Sequence, residues 1–423
     1  MRIMKRLGRM AAHWMACAAL AAACCAAPAQ TAQPGSALDP WSAPAAALAH
    51  RIAAVLGPGP VQFSMTDLSS LSAADVADIR RLLRQDLAAS GISFGGSESA
   101  NALRVTLSEN PRQRLWIAEI VEGTETQVVM EPLAAPPATV TAPAAGLTLR
   151  MQIILTSPDP ILAALPTPNG LVVLAPNQLL VESRAGDGWQ VAQRVALPLN
   201  RILSRDPRGR IQASSDGQSF VAYTGGVACQ GSDSAASAQS GWMLTCGPSD
   251  DPWTLVQPAV ANSAGSAVPL KAFFNAARNF FTGVVTPSFG VDLPPFYSAA
   301  MLPRPAGSDA LLLTAVDGRV LLAQFGSLKT IAGARDWGSD VAALRSGCGT
   351  GTQIVASGSG QAANDSLRAY SLPALEAVPV SMPLAMNGTV TALSSASDGS
   401  FVIAIVRTPD NQYEVDRVTA LCN

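Results

Sequence analysis

Histidine is the usual general base of hydrolytic sites and a leading zinc ligand, and this chain of 423 residues has only two, His13 and His50. His13 lies in an Ala-rich N-terminal stretch and His50 in a segment with helical spacing. Ser-His-Asp catalysis and His-rich zinc sites are therefore excluded from the long C-terminal part. The sequence also has neither a P-loop nor a Gly-x-Ser-x-Gly nucleophile turn, the usual signatures of nucleotide and ester hydrolysis. Chemistry would fall to carboxylates, as in a glycosidase whose two acids stand about 5 to 10 Å apart. Asp250, Asp251, Asp292, Asp336 and Asp340 are candidates by residue type, although turn and cap duty explains most of them. An aromatic content of 5% argues against a sugar cleft, whose apolar faces call for Trp or Tyr platforms. The sequence implies no metal and no cofactor.

Two stretches suit binding. Phe273, Phe274, Phe280, Phe281, Phe289, Phe296 and Tyr297 put seven of the fifteen Phe and Tyr residues within 25 positions, with Arg278 among them. Exposed, they would form a docking patch; buried, they would fill the space between sheets. Arg205-Asp206-Pro207-Arg208-Gly209-Arg210 concentrates cations in a cation-poor chain. It would either meet an anionic group or form a solvated turn with a local ion pair.

Hydrophobic residues make up 48% of the chain and charged residues 14%, which excludes a disordered polymer. The net charge of −2 provides no basic field for nucleic acid. Arg2, Lys5, Arg6 and Arg9, the apolar run at 10–27 and Ala27-Pro28-Ala29 read as a signal peptide over residues 1–29, cleaved near Ala29. A lipid anchor at Cys24 or Cys25 is the alternative. Cleavage would remove four cations and no anion, leaving 24 Lys and Arg against 30 Asp and Glu, a charge of −6. It would also leave no transmembrane segment and four cysteines. In an oxidising compartment these allow three pairings, of which Cys229–Cys246 and Cys348–Cys422 are favoured because a Ser/Gly/Ala-rich loop separates the first two. Four buried thiols are the alternative.

The elements that must position these residues follow from periodicity. Asp39 or Ser42 starts a helix that ends at Gly57-Pro58-Gly59-Pro60. Val61, Phe63 and Met65 alternate as in a strand, and Ser72 with Asp75 makes a capping box for a second helix that Gly91 stops. With alternating runs after Leu103, residues 39–131 predict a small two-layer α/β domain, and 132–146 a Pro/Ala-rich linker. From Leu147 helical periodicity nearly vanishes. Short apolar runs end in hairpin dipeptides at Asn169-Gly170, Asp187-Gly188, Asp216-Gly217, Asp317-Gly318, Asn387-Gly388 and Asp398-Gly399, which suit type I′ turns. Val341-Ala342-Ala343-Leu344 and Val390-Thr391-Ala392-Leu393, 49 residues apart, each precede a turn, a strand, a polar turn and a further strand. Four strands per roughly 50 residues is a propeller blade. Residues 147–423 thus predict a β-propeller of five to six blades, a sandwich being the alternative, in a mainly β protein.

Ser215-Asp216-Gly217-Gln218-Ser219-Phe220-Val221-Ala222-Tyr223 and Ser397-Asp398-Gly399-Ser400-Phe401-Val402-Ile403-Ala404 resemble the hairpin of TolB-type propeller repeats of bacterial envelope proteins, without the Pro that precedes Asp-Gly there. A signal peptide, a small α/β domain and a terminal propeller is also the order in that family. The missing catalytic signatures and this domain order predict a non-enzymatic binding or scaffolding protein, periplasmic or secreted by its signal peptide, whose propeller docks an envelope protein. A secreted carboxylate-dependent glycosidase or lyase at the propeller's central mouth is the competing expectation.

Overall fold

The computed structural model describes residues 39–95, 101–109, 113–134, 146–186, 188–198, 206–214, 217–233, 241–256, 269–303, 309–349, 351–360 and 362–422. The expected signal peptide, the lipid-anchor alternative and residues 135–145 of the linker lie outside them.

Helix α1 (Ser42–Leu56) and helix α2 (Ala73–Ala89) form where apolar residues recur at helical spacing. The capping box forms: Asp75 N donates to Ser72 Oγ at 3.1 Å, and Ser72 N donates to Asp75 Oδ2 at 3.3 Å. Strands β1 (Gly59–Leu68), β2 (Ile92–Phe94), β3 (Asn101–Glu109), β4 (Gln113–Glu122) and β5 (Glu125–Ala134) make one sheet in the order β2-β1-β3-β4-β5. β1 runs parallel to both neighbours and the remaining pairs are antiparallel. Leu48, Ile52, Ile79, Leu83 and Leu87 of the helices are buried with Leu103, Trp116 and Ile120, so both helices cover one sheet face.

The strands that follow build a ring of small antiparallel sheets. After β6 (Leu147–Ser157), blade 1 is β7 (Ala163–Thr167), β8 (Gly170–Leu174), β9 (Gln178–Ala185) and β10 (Gly188–Ala196). Blade 2 is β11 (Gly209–Ala213), β12 (Ser219–Thr224), β13 (Val227–Asp233) and β14 (Trp242–Pro248). Blade 3 is β15 (Trp253–Val256), β16 (Leu270–Asn275) and β17 (Phe280–Thr286), and blade 4 is β18 (Phe296–Leu302), β19 (Ala310–Ala315), β20 (Val320–Gln324) and β21 (Ser327–Thr330). These two are linked by a single pairing, Phe281 with Phe296. Blade 5 is β22 (Trp337–Arg345), β23 (Thr352–Gly358) and β24 (Ser366–Ser371), with β25 (Val378–Pro379) and β26 (Leu384–Ala385) both against β24. Blade 6 is β27 (Thr389–Ser395), β28 (Val402–Arg407) and β29 (Tyr413–Cys422), and its outermost strand is β6.

The first strands of successive blades pack on one another from β7 through β11, β15, β18 and β22 to β27, and β28 meets β7 to complete the circle. β6 pairs antiparallel with β29 from Leu147 opposite Cys422 to Ser157 opposite Tyr413. The sheet ring is therefore closed by its first and last strands, and the inner edges are covered. Cores lie between neighbouring blades. Ala310 to Ala315 of the middle strand β19 are buried on both faces, whereas the outer strand β10 is largely exposed. This is why middle strands read as unbroken apolar runs.

Both favoured disulfides are formed. Cys229 and Cys246 face each other across β13 and β14 with Cα atoms 4.0 Å apart. Cys348, in the turn between β22 and β23, holds Cys422 at the end of β29 with Cα atoms 5.5 Å apart. The second crosslink closes a separation of 74 residues, and on the chain-entropy account it stabilises the fold by about 4 kcal/mol.

The turn expectations need correction. In the Asp317-Gly318 and Asp398-Gly399 turns only the glycines have positive φ, +88° and +73°, so these are not type I′ turns. Gly318 N bonds Ala315 O and Gly399 N bonds Ala396 O, leaving the glycine as the left-handed residue that returns the chain to the strand. Neither residue of Asn169-Gly170 has positive φ, and Gly170 already pairs with Thr167 in the ladder. Asn387-Gly388 is no hairpin: it lies between β26 and β27, where a Cβ on Gly388 would run into Arg407 O.

The closing strand carries a polar anomaly. Asp416 is fully buried and neither of its carboxylate oxygens has a hydrogen-bond partner. Burial, reinforced by the nearby Glu414, pushes its pKa up to about 7. The folded chain thus holds a proton that the unfolded chain releases near pH 4, so this group's contribution to stability falls as pH rises from about 4 to 7 and is level above. Asp416→Asn should remove that slope and raise stability above pH 7 by ~2–4 kcal/mol, seen as a difference in urea midpoints between pH 5 and pH 8.

Candidate functional site

In an antiparallel blade the first strand starts at one end of the ring, and the turn between the second and third strands returns to that end. At this end all six blades contribute to a cavity of about 550 Å³. Blade 1 supplies Ile161, Leu162 and Pro176; blade 2 supplies Asp206 to Arg210; blade 3 supplies Trp253, Phe274, Asn279 and Phe281. Blade 4 adds Tyr297 and Ser298, blade 5 adds Ser339 and Asp340, and blade 6 adds Thr389 to Leu393, Arg407 and Tyr413. Residues from opposite sides of the circle meet here, so the cavity is the mouth of the central channel. The α/β domain touches the ring at the same end, where Gly333 N, in the link from β21 to β22, donates to Ser70 O at 3.1 Å.

Gly209 fixes how the blade 2 segment sits. A Cβ there would lie 2.7 Å from Leu162 Cβ and 2.8 Å from Leu174 Cδ2, so only glycine lets β11 begin this close to blade 1. The flanking arginines then take different roles. Arg208 Nη1 donates to Asp340 Oδ1 at 2.9 Å, and Nη2 donates to Oδ2 at 3.3 Å and to Ser339 Oγ at 3.1 Å. Ser339 Oγ donates to Asp340 Oδ2 at 2.5 Å, and Asp340 N donates to Ser357 Oγ at 3.3 Å. Side-chain exposure is 20% for Arg208 and 5% for Asp340, so the pair is shielded from solvent. Blades 2 and 5 stand opposite each other in a ring of six, and this bidentate bridge spans the channel. The Arg208 guanidinium carbon also lies 5.6 Å from the centre of the Tyr297 ring.

Arg210 lies on β11 two residues further on. Its Nε donates to Thr254 O at 3.0 Å and its Nη2 donates to Leu255 O, tying β11 to β15. Among the described residues no carboxylate pairs with it. Desolvation of the guanidinium pushes its pKa down to about 10, so it stays cationic at neutral pH while bearing the cost of its shielding. Asn279, which lines the same cavity from blade 3, has a positive φ of 61°, and its buried Oδ1 has no hydrogen-bond partner. Trp253 stacks on Phe274 with ring centres 4.1 Å apart, and Phe281 meets both rings edge-on, forming an aromatic wall.

Of the five acids singled out by type, only Asp340 reaches the cavity; Asp250, Asp251, Asp292 and Asp336 are exposed elsewhere. Among the described residues, no group of three or more His, Cys, Asp or Glu side chains is arranged to hold a metal. His50 is exposed on α1. The aromatic stretch divides. Phe281 and Phe296 are buried and Phe274 and Phe289 pack against the same core, whereas Phe273 is 41% exposed and Arg278 is exposed. Phe280 is half-buried, and Tyr297 faces the channel mouth with Phe274 and Phe281. In the basic stretch, Arg205 lies outside the described residues, and Arg208 is paired across the ring and not locally. The shielding of Arg210 is not visible in the sequence, where it takes a polar position in the alternation of β11.

No family model and no curated relative matches this sequence. Among solved structures, the chain is similar to one described as U3-55K, at 14% identity and a TM-score of 0.36, covering 64% of this chain and 98% of that one. It is also similar to the RRP9 WD40 repeats at 14% identity and a TM-score of 0.38, covering 66% of this chain and 99% of the other. A mitotic checkpoint complex structure matches at 12% identity and a TM-score of 0.34, covering 67% of this chain and 96% of its own. The propeller assignment rests on the strand pairing and closure described above.

The cross-channel bridge should matter to stability. Asp340→Ala leaves Arg208 shielded and unpaired and is expected to cost about 3 kcal/mol in a denaturant titration. Arg208→Met with Asp340→Leu should recover most of that loss, because two apolar residues leave no orphaned charge. A single-variant cost near zero would show that the bridge is solvated.

Proposed function

We propose that this chain is an exported, non-enzymatic docking protein of the bacterial cell envelope that takes up a partner protein at the channel mouth. Propellers host both enzymes and docking platforms, so the choice rests on the site. The observation that carries it is the state of the carboxylates there. Asp206 and Asp340 are the acids among the described lining residues, and Asp340 is held by an arginine fork and a serine. A carboxylate engaged in this way is poorly placed to act as nucleophile or general acid. What the mouth offers is a concave surface of mixed aromatic and hydrogen-bonding groups, which is how binding pockets are built. Two disulfides, the signal-like segment at residues 1–29 and the TolB-like hairpins support export. Among the described residues, no helix is long and apolar enough to cross a membrane. The α/β domain, set against the same end of the ring, is positioned as a second contact for the partner. The aromatic stretch Phe273 to Tyr297 enters this reading through Phe274, Phe281 and Tyr297 at the mouth, with Phe273 and Arg278 at its exposed margin.

A photo-crosslinking amino acid placed at Arg407, exposed in the mouth, tests this against one placed at Phe325. Phe325 is 78% exposed in the turn between β20 and β21, at the opposite end of the ring. In cells the Arg407 position should give one discrete protein adduct and the Phe325 position none. Absence of an adduct, together with polysaccharide turnover by the purified protein that Asp206→Asn abolishes, would reverse the assignment.

A further inference from the structure

Resting on the docking assignment, we infer that the channel mouth is a carboxylate seat, in which Arg210 receives the side chain of a Glu or Asp carried on an extended segment of the partner protein. A guanidinium has five N–H donors. Arg210 commits one to Thr254 O and one to Leu255 O, and the remaining three belong to a side chain that lines the cavity without a carboxylate partner among the described residues. Its neighbour shows the contrast. Arg208 lines the same cavity and is matched by Asp340, while among the described residues no carboxylate plays that part for Arg210. A shielded cation without a counterion is a standing cost that an arriving anion would relieve.

The remaining walls narrow the anion. The described lining residues include three arginines, Arg208, Arg210 and Arg407, against two carboxylates, Asp206 and Asp340, and this excess of one positive charge is matched by a monoanion, which favours a carboxylate over a phosphate dianion. Asn279 lines the same cavity and its buried Oδ1 has no hydrogen-bond partner; a turn of the side chain toward the cavity would let it accept from a backbone N–H beside the acidic residue. The stacked rings of Trp253 and Phe274 give apolar surface for the flanking side chains. Exposed Arg407 at the rim adds a positive charge that would draw an acidic segment inward. A cavity of about 550 Å³ has room for a few residues of chain.

The test is calorimetric titration of the purified protein with acetyl-Phe-Ala-Glu-Ala-Phe-amide, its Gln counterpart, and inorganic phosphate. The Glu peptide should bind at least tenfold more tightly than the Gln peptide. Arg210→Gln should abolish that preference, Arg407→Glu should weaken the Glu peptide several-fold, and Asn279→Ala should weaken both peptides alike. Arg210 also ties two blades together, so if its variant fails to fold, the Arg407 and Asn279 variants decide the matter. Equal binding of the two peptides, no binding of either, or preferential binding of phosphate would overturn the inference. A partner still crosslinked undiminished from position 407 in the Arg210→Gln or Asn279→Ala background would also overturn it while leaving docking at the mouth intact.

Discussion

The pairing of β6 with β29 is the constraint on which the rest of the structure depends. Each blade is too small to bury both of its faces alone, and the cores lie between blades, so every blade is stable only with neighbours on both sides. An open row would leave two unpaired ends. The chain avoids this by lending its first propeller strand to its last blade, from Leu147 opposite Cys422 to Ser157 opposite Tyr413. Joining strands separated by nearly the whole propeller sequence costs about 5 kcal/mol in loop entropy. The Cys348–Cys422 crosslink offsets much of this by limiting how far the closing strand can stray in the unfolded chain. Asp416, unpartnered in the same strand, acts in the opposite direction once it ionises.

Closure also creates the site. Arg208 and Asp340 are far apart in sequence and belong to opposing blades, and they meet only because the circle is complete. Their bridge fixes the spacing across the channel and removes one acid and one base from the chemistry available there. What remains among the described residues at the mouth is asymmetric: Arg210 without a paired carboxylate, Asn279 with an unanswered acceptor, exposed Asp206 and Arg407, and stacked aromatic rings. Electrostatics in such a place are stronger than on an open surface because the surroundings are poorly polarisable. A net charge of −2 over the whole chain hides this local excess of cations.

Local features were legible in the sequence, and of the long-range ones the cysteine pairing was, whereas the contacts across the ring were not. Ser72, Asp75 and Gly91 mark the ends of α2 because capping involves residues only a few positions apart. The 49-residue echo found β22 and β27, the inner strands of consecutive blades, because each blade repeats the same burial pattern. Asn387-Gly388 misled because the dipeptide also suits a link where the backbone passes close to another strand, here Arg407 O. Asp340 was named only as one acid among five, since nothing near it in sequence announces Arg208. In the sequence Arg210 belongs to a cationic stretch that would meet an anionic group or form a solvated turn, and its shielding follows from its contact with β15 of the neighbouring blade. The aromatic stretch was visible as a cluster, but which rings turn into the core and which reach the mouth depends on the bulged register between β16 and β17.

The α/β domain, which meets the link between blades 4 and 5 through the Gly333 to Ser70 hydrogen bond, lies at the mouth end of the ring. The most direct measurement of the proposal that the mouth docks a protein is amide hydrogen exchange with and without the protein captured by crosslinking at position 407. The account predicts slowed exchange in the segments around Asp206 to Arg210, Ser339 to Asp340 and Thr389 to Leu393, with the outer strands of the blades unchanged. Slowing confined to the outer strands or to the far end of the ring, with those three segments unaffected, would contradict it.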